Sequence, residues 1–275
     1  SELDRNFLME RHLISRNHAL GKGPRGVVIA KREFFTAMIN EEDHVRVQAL
    51  RPGLQLDECY RRADQIDDQL EASLEWAFSD DFGYLTACPT NVGTGLRASV
   101  LVHLPALVLT RKIKKVLTGV TQVGLAVRGF YGEGTDVIGN FFQISNQITL
   151  GEKESQALLN LEWVVRQLLE YEEKARDVLL KDAVHQIRDK VMRAVGVLSH
   201  AHLMSSQEAI GLASAIRLGI TLGLKDLPPV ALINEILLSI QPAHLQLMAG
   251  REMSSEERNA YRAEMIREKL SAAAS

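Results

Sequence analysis

The stretch CPTNVGTGLRASV, residues 88–100, carries two glycines and several small side chains directly before one arginine, Arg97. Small residues let a backbone approach a ligand closely. The pattern predicts that Arg97 opens a helix, where main-chain N–H groups and a guanidinium can both meet a phosphate. A plain strand–turn–helix junction is the alternative, because a single Gly-rich loop is a weak signal.

An acidic cluster lies upstream of this stretch. Residues 40–46, NEEDHVR, place the adjacent carboxylates of Glu41, Glu42 and Asp43 at the start of a predicted strand. Like charges side by side repel one another, so the cluster costs stability unless a cation is held there. A solvated acidic turn is the alternative interpretation of the same residues.

A third segment lies downstream. Residues 128–134, RGFYGEG, place a cation at the end of a predicted strand and a carboxylate, Glu133, between two glycines. A hairpin-like turn with an incidental ion pair also explains this pattern. Taken alone, the segment therefore identifies no site.

Together the three segments supply three arginines and two carboxylates at strand ends or in loops, where sites are usually built. They are Arg46, Arg97, Arg128, Glu42 and Glu133. A planar guanidinium binds phosphate oxygens with two parallel hydrogen bonds, and paired carboxylates suit a guanidinium for the same geometric reason. The set fits a triphosphate donor and a guanidinium acceptor, provided that these loops fold into one cleft.

The hydrophobic pattern changes near residue 151. Before that point the chain is predicted to be strand-rich with inserted helices, and after it the apolar spacing is helical. The predicted elements of the first part are strands at 26–30, 34–39, 44–50, 84–88, 123–128 and 140–150, and helices at 56–78 and 100–109.

Composition argues against several classes of protein. The 275 residues are 46% hydrophobic and 24% charged, with a net charge of −3, so no basic field favours nucleic acid. No apolar run approaches the roughly 18 residues that cross a bilayer. Two cysteines, Cys59 and Cys88, make no disulfide framework, which favours a reducing, cytoplasmic location.

The segments 40–46, 88–100 and 128–133 resemble, in the same order, three catalytic-domain signatures of the phosphagen kinases, the ATP:guanido phosphotransferase family. Residues 10–15 and 143–151, with 88–100, are similar to one branch of that family, the bacterial protein arginine kinases. The resemblance covers nearly the whole chain, and the combination of motifs is specific.

The resemblance implies an α+β fold with two domains. Residues 1–180 would form the catalytic domain, a mostly antiparallel sheet flanked by helices. Residues 181–275 would form an all-helical C-terminal domain that small-metabolite guanidino kinases lack.

The resemblance also implies ATP as the phosphoryl donor. The residues that match the family's nucleotide site are His12, Arg46, Arg97, Ala98, Ser99, Val100, Leu101, Arg128, Gly129, Phe130, Tyr131 and Gly132. Mg²⁺ is expected to bind through the phosphates and waters, so no protein ligand for a metal is predicted.

Three further residues are implied to act on the acceptor arginine. Glu42 would orient its guanidinium, Glu133 would take its proton, and Cys88 would lie beside it. Because an arginine side chain has a pKa above ~12, a nucleophilic nitrogen needs a carboxylate aimed at its proton. Without the motif, Cys88 is interpreted as a small buried residue.

In the protein arginine kinases the helical domain is implied to mediate dimers and to bind phosphoarginine through an Arg-Asp-x-x-Arg-Ala motif. This sequence has Arg258, Asn259, Arg262 and Ala263 at the matching positions, so an amide replaces the acidic residue. An amide oxygen still accepts a hydrogen bond but brings no charge, which places the allosteric pocket in question. An exposed amphipathic helix is the alternative.

The family also has a Ser-Ser-Arg-x-Arg motif that grips the phosphates, and its matching position would precede Ser1. Two missing phosphate-binding arginines would weaken electrostatic stabilisation severely. We therefore expect little or no kinase activity from this polypeptide alone.

Three functional hypotheses follow. The first is a cytoplasmic protein arginine kinase of protein quality control or stress response, a homodimer with an activator protein and Clp-type protease machinery as partners. The second is a kinase of a free guanidino metabolite, and the third is a non-catalytic, phosphoarginine-binding regulatory module.

Overall fold

The computed structural model describes residues 1–129 and 137–274. The chain divides into two compact units. The first comprises Ser1–Val100, Val120–Ala126 and Ile144–Val165, and the second comprises Leu101–Gly119, Val127–Gln143 and Arg166–Ser275.

The first unit contains an antiparallel three-stranded sheet in the order β1-β2-β3. Its strands are β1 (Gly26–Ile29), β2 (Phe35–Ile39) and β3 (Val45–Ala49). All three were predicted from the sequence and are confirmed within a residue or two of their ends. The antiparallel pairing of β2 with β3 sets Arg46 opposite Met38, whose side chain is fully buried.

Helices and a small hairpin complete this unit. They are α1 (Glu2–Glu10), α2 (Arg16–Leu20), α3 (Leu56–Glu71), and the paired strands β4 (Phe78–Ser79) and β5 (Gly83–Tyr84). The predicted extension of α3 to residue 78 is wrong, because the chain leaves the helix to form β4. There the rings of Phe78 and Tyr84 meet edge to face at 5.3 Å.

A second three-stranded sheet has the order β6-β8-β7, with β6 (Ser99–His103), β7 (Leu125–Gly129) and β8 (Phe141–Asn146). The predicted helix over 100–109 is wrong in its first half, since residues 99–103 are a strand. Helix α4 (Pro105–Leu109) begins only at Pro105, a favoured first helical residue. The buried carboxylate of Glu172 accepts the N–H groups of Ala106 and Leu107 at 2.9 Å each, which fixes this helix start.

The remaining elements are helices, which the sequence predicts for the part after residue 151 but not for residues 113–122. They are α5 (Ile113–Gln122), α6 (Glu154–Asp182), α7 (Val184–His200), α8 (Ser206–Thr221), α9 (Val230–Ser239), α10 (Pro242–Ala249) and α11 (Ser255–Ala274). The main core of the second unit includes Phe141, Leu198, Met204, Ile216, Ile236 and Ile266. The α+β class is therefore confirmed. Within the ranges that the structure describes, no helix has the length and apolarity to span a bilayer.

Candidate active site

The acidic segment 40–46 forms the turn between β2 and β3. Asn40 takes a left-handed backbone conformation, with φ of 55°, and its N–H donates to the carbonyl of His44 at 3.0 Å. Glu42 is exposed on this turn, whereas the side chain of Glu41 has 0% exposure. The two neighbouring carboxylates therefore have different environments.

Glu41 is an internal partner of Arg46. Its Oε2 lies 3.1 Å from Nη1 of Arg46 and accepts the N–H of Glu42 at 2.8 Å, while the Ser15 hydroxyl donates to Oε1. Burial opposes the charged form, but the hydrogen bond from Ser15 and the charge of Arg46 outweigh it, so the pKa of Glu41 lies below its ordinary value. Glu41 thus binds Arg46, which is predicted to bind phosphate. No local sequence pattern indicated this role of Glu41.

The acidic turn is joined to the Cys88 segment by Asp43. Its Oδ1 accepts the main-chain N–H of Ala87 at 2.6 Å. Because Asp43 and Ala87 each adjoin a predicted acceptor-site residue, the contact fixes the turn that carries Glu42 against the start of the Cys88 loop. This link was also missed from the sequence, since 44 residues separate its ends.

Cys88 precedes a single 3₁₀ turn, Pro89–Asn91, and is a half-buried free thiol. Its Sγ lies 3.0 Å from the hydroxyl of Thr90. The thiol is therefore accessible from the loop, unlike a core cysteine. Its predicted place beside an acceptor arginine stays a prediction.

The Gly-rich loop is packed between two other segments of the first unit. Gly93 pairs with Tyr84 on one side, with N···O distances of 2.8 and 3.2 Å. On the other side a Cβ at Gly93 would lie 2.1 Å from the carbonyl oxygen of Thr149, and its φ of 116° also excludes most side chains. The glycine is thus required for close backbone packing, and the loop is a fixed element.

Arg97 lies in irregular backbone after this loop and is exposed. The prediction that it opens a helix is wrong, because a strand follows it. The peptides on both sides of Arg97 are held instead by Asn146, at the end of β8. Asn146 lies within the segment 143–151, for which the sequence predicts no role for any single residue.

The other predicted nucleotide residues of this region lie along β6. Ala98 is buried, and Ser99, Val100 and Leu101 follow it on the strand, with Ser99 and Leu101 exposed. Leu101 belongs to the second unit, whereas the preceding three belong to the first. Alternation of exposed and covered side chains is what a strand requires.

His12 lies at the end of α1 in a left-handed conformation, with φ of 59°. Its carbonyl accepts the side-chain amide of Gln48 at 2.7 Å, which connects it to β3 beside Arg46. The exposed His12 side chain thus extends from the same sheet region that carries Arg46.

The third predicted segment is described only in part. Arg128 and Gly129 form the end of β7, in the second unit, and Arg128 is exposed. Phe130, Tyr131, Gly132 and Glu133 lie outside the described residues.

A groove of about 520 Å³ lies beside Gly93 and Thr94 within the first unit. Its lining includes the aromatic rings of Phe78, Phe82 and Tyr84 and the carboxylates of Asp81, Glu152 and Glu154. The Tyr84 hydroxyl donates to Asp67 at 2.9 Å, and burial and this carboxylate raise the pKa of Tyr84. The groove combines aromatic faces with these three carboxylates and one cation, Lys153, so negative charge is in excess, which suits a guanidinium.

The candidate phosphoarginine residues lie on α11. Arg262 is 2% exposed, and its guanidinium donates to the carbonyls of Ile240 at 2.9 Å and Met204 at 2.8 Å, and to Oδ1 of Asn259 at 2.7 Å. Ala263 is also buried. The exposed-helix alternative is therefore wrong for these two positions.

Arg258 is half-buried and donates to the carbonyl of Met253 at 2.6 Å. Together with Asn259, whose carbonyl accepts the N–H of Met204 at 3.1 Å, it fixes α11 against neighbouring loops. The geometry assigns these side chains to internal packing, and phosphoarginine binding by them stays a prediction.

No group of three or more His, Cys, Asp or Glu side chains that could hold a metal ion occurs among residues 1–129 and 137–274. Carboxylate oxygens are the ligands that Mg²⁺ prefers. The described residues therefore offer no metal cage, and we assign none of them to a metal.

Two family models match the chain. The ATP:guanido phosphotransferase C-terminal catalytic domain matches residues 1–175, and the C-terminal domain of the protein-arginine kinase McsB matches residues 184–275. The two matched segments, residues 1–175 and 184–275, thus each correspond to a known domain family.

Curated proteins and solved structures agree with these models. A protein-arginine kinase of Halothermothrix orenii is 49% identical over 98% of this chain and 77% of its own length, and one of Moorella thermoacetica is 50% identical with the same coverage. A duplicated taurocyamine kinase of Schistosoma mansoni superposes with a TM-score of 0.58 at 30% identity, over 76% of this chain but only 31% of that one. A lombricine kinase gives a TM-score of 0.53 at 29% identity, over 61% of this chain and 50% of that one.

The curated relatives share identity along almost the whole of this chain, and the resemblance stated from its motifs is confirmed. The chain belongs to the ATP:guanido phosphotransferase family, and within it to the protein-arginine kinases.

Proposed function

We propose that this chain carries the site that transfers the γ-phosphoryl group of ATP to arginine side chains of proteins, and that a polypeptide which also carries the family's Ser-Ser-Arg-x-Arg motif transfers it faster. The observation that carries the proposal is the pair of family matches, a guanido phosphotransferase domain followed by a domain specific to protein-arginine kinases. A guanido phosphotransferase domain alone would leave the acceptor open.

Arginines of this chain would bind the phosphates of the donor. Arg46, held by the buried carboxylate of Glu41, and the exposed Arg97 bind phosphate oxygens, since a guanidinium keeps its charge and presents parallel donors. Arg128 joins them as a third phosphate-binding arginine. Positioning of the donor and neutralisation of its charge supply most of the catalysis in such a transfer.

The acceptor arginine is oriented by Glu42, the exposed carboxylate of the turn. A guanidinium nitrogen attacks the γ-phosphorus, the bond from that phosphorus to the bridging oxygen breaks to release ADP, and Glu133 takes the proton. Mg²⁺ bound through the phosphates is part of the proposal, but no step is assigned to a protein-bound metal. His12 lies beside the nucleotide and Cys88 beside the acceptor.

A protein acceptor is supported by the groove next to Gly93 and Thr94. Its aromatic and acidic lining suits an arginine-bearing segment, whereas a free metabolite needs no such surface. We assign it to contacts with the polypeptide around the acceptor residue.

The cellular setting belongs to the same proposal. We infer a catalytic domain over 1–180 and a helical domain over 181–275, supported by family models that end at residue 175 and begin again at 184. The helical domain would mediate a homodimer, and phosphorylation would serve cytoplasmic protein quality control together with an activator protein and Clp-type protease machinery.

The test is transfer of γ-labelled phosphate from ATP to an arginine-rich protein. The proposal predicts label that is lost in acid, and a loss of at least about 100-fold in rate for Arg97→Ala. Arg193→Ala is the matched control, because this arginine is exposed on α7 and pairs only with a neighbouring helical carboxylate among its described contacts. Label confined to serine or threonine would refute the proposal.

The similarity to kinases named for taurocyamine and lombricine favours one second candidate, a kinase of a free guanidino compound. Comparing kcat/KM for free arginine with that for protein-bound arginine separates the two. Faster turnover of the free amino acid would replace our proposal with this one. A non-catalytic module would instead release no heat when titrated with Mg-ATP.

A further inference from the structure

Asn146 ends strand β8 and is 7% exposed. Its side-chain Oδ1 accepts the main-chain N–H of Ala98 at 2.8 Å, and its Nδ2 donates to the carbonyls of Leu96 at 3.0 Å and Ile148 at 3.2 Å. Its own N–H donates to the carbonyl of Ala98 at 3.2 Å. One residue therefore contacts both neighbours of Arg97.

These contacts fix the two peptide groups that flank Arg97. The carbonyl of Leu96 belongs to the peptide before its Cα, and the N–H of Ala98 belongs to the peptide after it. Holding both peptides fixes φ and ψ of Arg97, and with them the direction in which its side chain leaves the backbone. Among side chains of this size, only a primary amide both donates and accepts in this way.

Regular structure does not perform this task here. Residues 95–98 lie in neither helix nor strand. The first of them, Gly95, has a φ of 62°, and glycine adds little backbone conformational preference of its own. A buried amide needs hydrogen-bond partners in any protein, but this one draws them from a segment 48 to 50 residues away that carries an exposed arginine.

We propose that Asn146 is a positioning residue for Arg97. By fixing the backbone of Arg97, Asn146 directs the Arg97 guanidinium towards the phosphates of ATP. The inference rests on the proposed function, in which Arg97 binds the donor. Asn146 itself contacts neither substrate in this proposal. It controls the direction of the Arg97 side chain from a different segment of the chain.

The experiment compares three variants for ATP affinity by calorimetry and for KM of each substrate. Asn146→Ala removes all side-chain contacts, and Asn146→Asp keeps the acceptor but loses both donors. Gln147→Ala is the control, since its side chain is exposed on the adjacent residue. We expect the dissociation constant of ATP to rise about tenfold or more for Asn146→Ala and less for Asn146→Asp. KM for the protein acceptor and all values for Gln147→Ala should stay near wild type.

The same substitutions in an Arg97→Ala background supply the decisive arm. If Asn146 acts through Arg97, then Asn146→Ala adds no further loss of ATP affinity once the arginine is gone. An additive loss, or a lowered melting temperature with unchanged ATP affinity in both Asn146 variants, overturns the inference. A wild-type protein that binds no ATP overturns the proposed function itself and is seen without any variant.

Discussion

At the scale of single residues, the adjacent Glu41 and Glu42 have different roles. The family resemblance gives a role to Glu42 and none to Glu41, yet Glu41 is the one that is buried and bound to Ser15 and Arg46. A buried carboxylate with a charged partner is costly to neutralise, because the partner keeps its charge without compensation. Neutralising the exposed carboxylate of Glu42 should change the stability of the fold little, but it should impair transfer if Glu42 contacts the acceptor.

We predict that Glu41→Gln lowers the free energy of unfolding by about 1–3 kcal/mol, whereas Glu42→Gln changes it by less than about 0.5 kcal/mol. Phosphoryl transfer should fall in both variants, in Glu42→Gln without loss of the fold. Urea titrations and initial rates measured on the same preparations check this. Equal losses of stability in the two variants would contradict the assignment.

The lowered pKa of Glu41 also sets a pH dependence. Because its pKa is lower in the folded than in the unfolded chain, the carboxylate stabilises the fold above its ordinary pKa of 4.5 and loses this effect as pH falls through the folded-state value. Stability measured from pH 7 downwards should therefore fall less steeply below about pH 4.5 in Glu41→Gln than in wild type. Parallel curves would show that Glu41 does not titrate in this way.

Asp43 supplies a second test at this scale. Removal of its carboxylate in Asp43→Ala should free the N–H of Ala87 and slow transfer about tenfold. Asp43→Asn retains an acceptor oxygen and should lose less. The rate of Cys88 alkylation reports the same change without any assay of activity, and an unaltered rate in Asp43→Ala would argue that the turn does not hold the Cys88 loop.

At the scale of elements, strand β3 was predictable because polar and apolar side chains alternate in it, and β1 and β2 were predictable as short, mostly apolar runs. Residues 99–109 were not, since this run is apolar at most positions and its period does not separate a strand from a helix. Pro105 is a sequence signal for the start of α4, and the hydrogen bonds from Leu107 and Ala106 to Glu172, 65 and 66 residues away, fix the boundary there. Tertiary contacts of the same kind, from Asp43 to Ala87 and from Asn146 to Leu96, explain why the site's support was invisible in the sequence.

Substitution of Gly93 tests whether the Gly-rich loop is tightly packed. Gly93→Ala would place a Cβ 2.1 Å from the Thr149 carbonyl oxygen and should lower stability by more than about 2 kcal/mol. Gly151 also has a positive φ, 77°, but no atom lies within 4 Å of the Cβ that Gly151→Ala would add, so this substitution should lower stability by only about 1 kcal/mol. Thermal unfolding of the two variants isolates the steric effect, and equal shifts would show that the loop is not tightly packed.

Within the second unit, the buried guanidinium of Arg262 donates a hydrogen bond to the amide of Asn259, where the family motif has an acid. Asn259→Asp should strengthen the bond to Nη1, now 2.7 Å long, and raise stability by about 1 kcal/mol. Asn234→Asp is a comparison on α9, where the amide meets Arg217 at an exposed position. A melting temperature that rises no more for Asn259→Asp than for Asn234→Asp would contradict a buried pairing.

At the scale of the whole molecule, we propose that arginines bind the donor and that carboxylates and the aromatic groove bind the acceptor. The double substitution Asp81→Asn with Glu152→Gln, at two groove residues, should raise KM for a protein acceptor several-fold and leave KM for ATP unchanged. Asp189→Asn, on the exposed face of α7, is the control. A parallel rise of both KM values would remove the groove from acceptor binding.

The central claim is that the residue which receives phosphate is an arginine within a protein. Tandem mass spectrometry of an arginine-rich protein after incubation with ATP and this chain, under conditions that preserve the N–P bond, measures that directly. We expect phosphate on arginine side chains with the wild-type protein and little with Arg97→Ala. Phosphate on hydroxyl side chains alone, or an equal yield from both proteins, would contradict it.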